Sequence, residues 1–122
     1  MNCPFCLPDD SVVVLRNELC YARRDGYPVT KGHLLIVPFR HFANYFDASE
    51  EEIKEMSLLV AEARKILVQE HQPQGFNIGI NVGAAAGQTV GHVHIHLIPR
   101  YEGDMDDPRG GVRGVIPEKQ KY

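Results

Sequence analysis

The sequence predicts an α+β domain: an antiparallel, five-stranded meander sheet with one long helix and a short helix. Three observations carry that expectation. Short β-branched or apolar runs recur between turn signals. One stretch alone has apolar residues at three- and four-residue steps. The early strands lie too close together for the crossover that parallel pairing needs.

Val12-Val13-Val14-Leu15 reads as the first strand, and Leu19 to Arg24 as the second, ended by the turn Asp25-Gly26-Tyr27-Pro28. His33-Leu34-Leu35-Ile36-Val37 reads as the third, ended by Pro38. Asp47 and Ser49 are both plausible N-caps, and Ser49 with Glu52 has capping-box spacing. Glu50, Glu51 and Glu52 sit where the helix dipole favours them. Ile53, Met56, Leu59, Val60, Ala63, Ile66 and Leu67 form an apolar stripe on a helix reaching about His71, before Pro73 and Gly75. Phe76 to Val82 reads as the fourth strand, Gly83 to Gly87 as a small-residue loop, and His92 to Pro99 as the fifth strand.

The chain of 122 residues, 43% hydrophobic and 24% charged, makes a single domain (1–122) with a real core and no need of disulfides. Its last part, about 101–122, is polar and glycine-rich and reads as an irregular surface tail. No apolar run approaches the ~20 residues that span a bilayer. A net charge of −3 argues against nucleic acid and anionic membranes as partners. Met1 to Cys6 has no basic region leading an apolar one, so a cytoplasmic protein is expected. The three cysteines do not suggest a disulfide framework.

Gly91-His92-Val93-His94-Ile95-His96-Leu97-Ile98-Pro99 is what an ordinary core strand does not explain. On a strand, His92, His94 and His96 share one face, about 6.5 Å apart, while Val93, Ile95 and Leu97 fill the other. Three same-face imidazoles serve two chemistries. They can ligate zinc with an open position, giving a metal-dependent hydrolase. Alternatively, one neutral imidazole attacks phosphorus while a hydrogen bond to its second nitrogen fixes the tautomer. The surroundings favour the second. Gly83 to Gly87 can bring backbone N–H groups near an anion, Gln88 and Thr89 are neutral donors suited to phosphate, and no carboxylate on the strand orients a metal-bound imidazole. A nucleotide-binding regulatory protein with little turnover is a third possibility.

Gly87-Gln88-Thr89-Val90-Gly91-His92-Val93-His94-Ile95-His96-Leu97-Ile98-Pro99-Arg100 resembles the signature of the histidine triad family, His-φ-His-φ-His-φ-φ with φ apolar. The family includes Hint-type nucleoside phosphoramidases, Fhit-type dinucleoside polyphosphate hydrolases and the more distant galactose-1-phosphate uridylyltransferases. Gly32-His33-Leu34-Leu35-Ile36-Val37-Pro38 resembles its other recurrent stretch, so the likeness runs from about Cys3 to Arg100. It implies a homodimer whose sheets join, and a purine nucleotide held with its α-phosphate over the triad. The reaction it implies is nucleotidyl transfer to water, through a nucleotidyl-histidine, on a dinucleoside polyphosphate or nucleoside phosphoramidate.

By position, the resemblance makes His94 the nucleophile, with His96 and His33 orienting it. It places Gln88 on the α-phosphate with Thr89 beside it, and Asn81 on phosphate or ribose. Asp25 falls where the family binds the ribose hydroxyls, although Asp before Gly26 equally reads as a turn-former. Phe5 and Leu35 either line the base pocket or belong to the core. The resemblance also implies structural zinc on Cys3, Cys6, His41 and His92, a closed Cys₂His₂ set. His92 would then not protonate a leaving group, leaving that role to Thr89, His96 or water. No catalytic metal is demanded. Arg109 and Arg113 in the tail either meet a phosphorylated leaving group or pair with Asp104, Asp106 and Asp107.

Overall fold

A computed structural model describes residues 3–122. Met1 and Asn2, at the end on which the absence of a leader was read, lie outside the described residues. Five strands form one antiparallel sheet: β1 (Val13–Arg16), β2 (Cys20–Arg24), β3 (Leu34–Pro38), β4 (Gly75–Gly79) and β5 (Ile95–Arg100). The long helix α1 (Glu50–His71) covers one face.

The sheet and helix match the expected class, but β4 ends at Gly79 and not at Val82, and three further differences stand out. The strand order is β1-β2-β3-β5-β4, so only β1 to β3 form a meander. The connection through α1 carries the chain past one strand position, and β5 returns into the gap, where both its edges find partners. Four short 3₁₀ turns replace the single short helix, at Tyr45–Asp47, Ala84–Ala86, Gly111–Val115 and Pro117–Lys119. Finally, β5 starts at Ile95, three residues later than His92. Its pairing with β3 ends at Ile36 opposite Ile95, because Pro38 has no N–H to extend a ladder.

The helix start follows the sequence closely. The Ser49 hydroxyl accepts from Glu52 N–H (3.1 Å), and the Glu52 carboxylate accepts from Ser49 N–H (2.8 Å), closing the capping box. Met56, Leu59, Ala63 and Leu67 are buried on the sheet. The first position of the stripe is displaced: Ile53 is 37% exposed and Glu52 is buried instead. Glu52 can be buried because Arg40 meets it through two hydrogen bonds, of 3.1 and 2.8 Å. That guanidinium holds the carboxyl below the usual carboxylate range.

The helix side of the sheet carries Cys20, Ala22, Leu34, Ile36, Val93, Ile95 and Leu97. The opposite side carries a smaller cluster of Phe5, Tyr21, Leu35 and Val37. Buried on both faces, β3 is apolar throughout. Cys20 is fully buried and its thiol is pushed up to about 11 by burial, which makes it a core residue without redox or metal chemistry.

The tail is more ordered than its composition suggests. Arg113 donates to the carbonyls of Lys119 and Gln120, and the Gln120 amide donates to Arg109 O. Among the described residues no helix is long and apolar enough to cross a membrane.

Candidate active site

The three triad histidines differ in what faces each ring nitrogen, and this decides what each can do. His94 places Nδ1 2.8 Å from the His92 carbonyl. Nδ1 must donate, so the lone pair lies on Nε2. His92 places Nε2 2.7 Å from the Pro38 carbonyl, so its lone pair lies on Nδ1. For His96 the chain of bonds is longer. Val29 N–H donates to His33 Nδ1 (3.0 Å), which puts the His33 proton on Nε2. That Nε2–H donates to His96 Nδ1 (3.0 Å), so His96 carries its own proton on Nε2. The result is a bare nitrogen on His94 beside an N–H on His96, with rings 5.1 Å apart.

Burial pushes His33 and His96 below the ordinary imidazole value, which keeps this relay neutral. The Asp25 carboxylate, 3.3 Å from His33 Nε2, pulls His33 the other way but less strongly.

His94 and His96 open onto a cleft of about 370 Å³ lined also by Phe5, Asp25, Leu35, Asn81 and Thr89. Of the expected substrate-binding residues, Phe5, Asp25, Leu35, Asn81 and Thr89 gather at this cleft; His33 lies behind His96, and Gln88 is turned to other work. Its Nε2 donates to the Ala43 and Val90 carbonyls and its Oε1 accepts from Gly83 N–H, so its amide shapes the loop and no hydrogen is left for phosphate. The Gly83–Gly87 loop is likewise less available than expected. Gly83, Ala86, Gly87 and Gln88 N–H all donate inside it.

Asp25, Phe5 and Leu35 each have a structural role and also border the cleft. Asp25 Oδ1 accepts from Tyr27 N–H and forms the turn, while Oδ2 faces His33 at the cleft. Phe5 and Leu35 are buried core residues whose remaining surface lines the cleft. Phe5 also packs edge-on against His94, with centroids 5.1 Å apart.

His92 turns away from the cleft into a second cluster. Its Nδ1 lies 3.3 Å from Cys3 Sγ, 3.6 Å from Cys6 Sγ and 3.1 Å from His41 Nδ1, and Cys6 Sγ lies 3.1 Å from His41 Nδ1. Ligands on one tetrahedral zinc, at bonds of ~2.0–2.3 Å, sit at such separations. The Pro38 carbonyl fixes the tautomer that zinc requires of His92. These four residues fit the metal.

Asp25, His33 and His96 also lie within ligand distance of one another. They do not fit a metal, because Val29 N–H occupies His33 Nδ1 and the proton on Nε2 stands where the metal would bind. Among the described residues the donor atoms of His92, His94 and His96 form no cluster, which argues against the expected alternative of a metal held by the triad.

The tail arginines face elsewhere. Arg109 pairs with Asp107 (3.2 Å), and Arg113 is held by tail carbonyls and the Tyr122 ring. Val112, Gly114 and Val115 instead line an adjoining cavity with His96 and Asn81. The sequence reading missed three contributors to the site. The Pro38 and Val29 backbone groups set tautomers, and no residue-type signal could have revealed them. Arg23, which lines the cleft, was legible as an inward strand position beside Leu35.

The family model described as the HIT domain matches residues 8–103. The AP-4-A phosphorylase of Mycobacterium tuberculosis is 35% identical over 99 residues, 80% of this chain and 51% of its own length. The asymmetrical bis(5'-nucleosyl)-tetraphosphatase of Schizosaccharomyces pombe is 33% identical over 100 residues, 82% of this chain and 55% of its own. The chain thus spans about half the length of these two relatives. The crystal structure of a zinc-bound histidine triad family protein from Mycobacterium smegmatis superposes with a TM-score of 0.76 at 31% identity, covering 84% of this chain and 78% of that one. With a matched domain over most of its length and the triad, relay and cleft in one place, the chain belongs to the histidine triad (HIT) family.

Proposed function

We propose that this chain is a nucleotide hydrolase or nucleotidyltransferase that cleaves at the α-phosphate of a purine dinucleoside polyphosphate or nucleoside phosphoramidate. The observation that carries the reading is the His94 tautomer: Nδ1–H held by the His92 carbonyl, Nε2 bare beside the cleft. The chain's likeness to an AP-4-A phosphorylase and an asymmetrical bis(5'-nucleosyl)-tetraphosphatase supports it.

In the first half, His94 Nε2 attacks the α-phosphorus and the bond to the leaving group breaks. His96 Nε2–H is placed to hydrogen-bond the phosphoryl oxygens or to protonate the leaving atom. In the second half, water attacks the nucleotidyl-histidine, the imidazole leaves, and a nucleoside monophosphate is released. The water's proton returns to the relay. Splitting the displacement through a reactive phosphoramidate lowers both barriers.

Asp25 and Thr89 line the cleft, where the carboxylate would take the ribose hydroxyls and the hydroxyl would take phosphate. Cys3, Cys6, His41 and His92 would hold zinc, which would supply folding energy and fix the segment leading into His94. A homodimer fits the fold, since β4 is an edge strand whose Ile78 is 52% exposed.

The test is His94→Asn. It keeps the fold and removes the nucleophilic nitrogen, so turnover of both substrate classes should fall at least ~10³-fold. Wild-type turnover in the variant overturns the reading.

A further inference from the structure

The cleft has one cationic side chain, and the proposed chemistry leaves it unused. Arg23 is half-buried on β2, lines the cleft, and has no ion-pair partner among the described residues. Its position follows from register. Gly79, His96, Leu35, Arg23 and Val13 are successive partners across all five strands, so they form one transverse row. Partners in one row point to the same face. Arg23 therefore lies two strand spacings, ~10 Å, from His96, with Leu35 between. A phosphate over His94 and His96 leaves a ribose and a purine to fill that length.

What surrounds Arg23 indicates which group it meets. The guanidinium lies over the Phe5 ring at 5.2 Å, and Phe5 packs against His94. Phe5 thus separates the cation from the attacked phosphate. Pro4, Phe5, Leu35 and Val90 make the cleft wall, suited to a flat base. Arg23 Nε donates to the Arg24 carbonyl, which pins the stem, while the terminal nitrogens, beside the Tyr21 hydroxyl, make no ion pair among the described residues.

We propose that Arg23 reads the edge of the base and selects guanine or hypoxanthine over adenine. A guanidinium fork donates to the adjacent O6 and N7 acceptors of a 6-oxopurine, whereas adenine offers an amino donor at the same place. The inference rests on the nucleotide reading above and assigns it a base class. Asp25, two residues on and just past the end of β2, stays available to the ribose.

Calorimetric titration of the full chain with GMP, IMP and AMP tests it. GMP and IMP should bind alike, and both at least about tenfold tighter than AMP, the scale of one bidentate base contact. In Arg23→Leu the ratio should fall to about one, chiefly through weaker GMP and IMP binding. IMP isolates the 6-oxo group within the wild-type protein, so the result does not depend on the variant folding. Equal affinities in the wild type, tighter AMP, or an unchanged ratio in the variant overturns the proposal. So does a variant that weakens all three nucleotides equally, the mark of a phosphate contact. Binding of none of the three overturns the nucleotide reading itself and is thereby distinguishable.

Discussion

The proton on each imidazole is set by the group facing its other nitrogen, and the chemistry divides accordingly. The Pro38 carbonyl leaves the His92 lone pair on Nδ1 toward the cysteines, the His92 carbonyl leaves His94 a bare Nε2, and Val29 N–H, through His33, leaves His96 its proton on Nε2. Replacing His33 by Ala removes the proton held against His96 Nδ1, so His96 can take the wrong tautomer. We expect kcat to fall by one to two powers of ten, on the order of other orienting contacts, with KM changed far less; steady-state kinetics checks this. Burial also sets a pH dependence. His33 and His96 titrate below the ordinary 6.5 in the folded chain. Above about 6.5 both folded and unfolded states are neutral, so the pair gives no slope. As pH falls below that, the unfolded chain takes protons first and stability declines until the folded-state values are passed. Denaturant midpoints at pH 7.5, 6 and 5 should fall in that order.

At the scale of elements, the helix start and the Gly32 corner are the most exposed to single changes. Ser49→Ala removes one half of the capping box and should cost about 1 kcal/mol in a denaturant melt. Gly32 has φ +94°, and a Cβ there would meet His71 Cδ2 at 2.8 Å and Leu67 Cδ2 at 3.0 Å, so Gly32→Ala should destabilise by more than an ordinary surface change. Much of this was readable beforehand. Ser49 and Glu52 had the spacing, the stripe from Met56 to Leu67 had the period, and the small-and-turn residues after Arg24 marked the β2–β3 corner. What the sequence concealed depended on partners distant in the chain. Glu52 replaced Ile53 on the buried face because Arg40 was there to meet it. The alternation from His92 to Pro99 looked like one strand, but the ladder stopped at Ile95 and let His92 turn toward the cysteines. Strand order is a further case, since local pattern does not say that β5 enters between β3 and β4. Gln88 carried the right chemistry for phosphate, yet loop carbonyls held its amide.

For the whole molecule, the metal cluster and the active cleft meet in one short segment, with His92 and His94 two residues apart. Cys3→Ser with Cys6→Ser should abolish the zinc content, expected at about one ion per chain, and lower the melting temperature more than it lowers turnover per folded molecule. Elemental analysis with a parallel thermal melt decides this, and chelator-free wild-type protein without zinc would contradict it. On the proposed homodimer, sedimentation should give a species of twice the chain mass. The covalent nucleotidyl-His94 is the claim from which the rest of the chemistry follows, and trapping it is the direct measurement. The protein is mixed with a substrate labelled at the α-phosphate, quenched within the first turnover, and digested for mapping. An acid-labile label on the peptide carrying His94, absent from His94→Asn, is the expected result. Product formed in the first turnover with no label on the protein, or with the label on another residue, would contradict it.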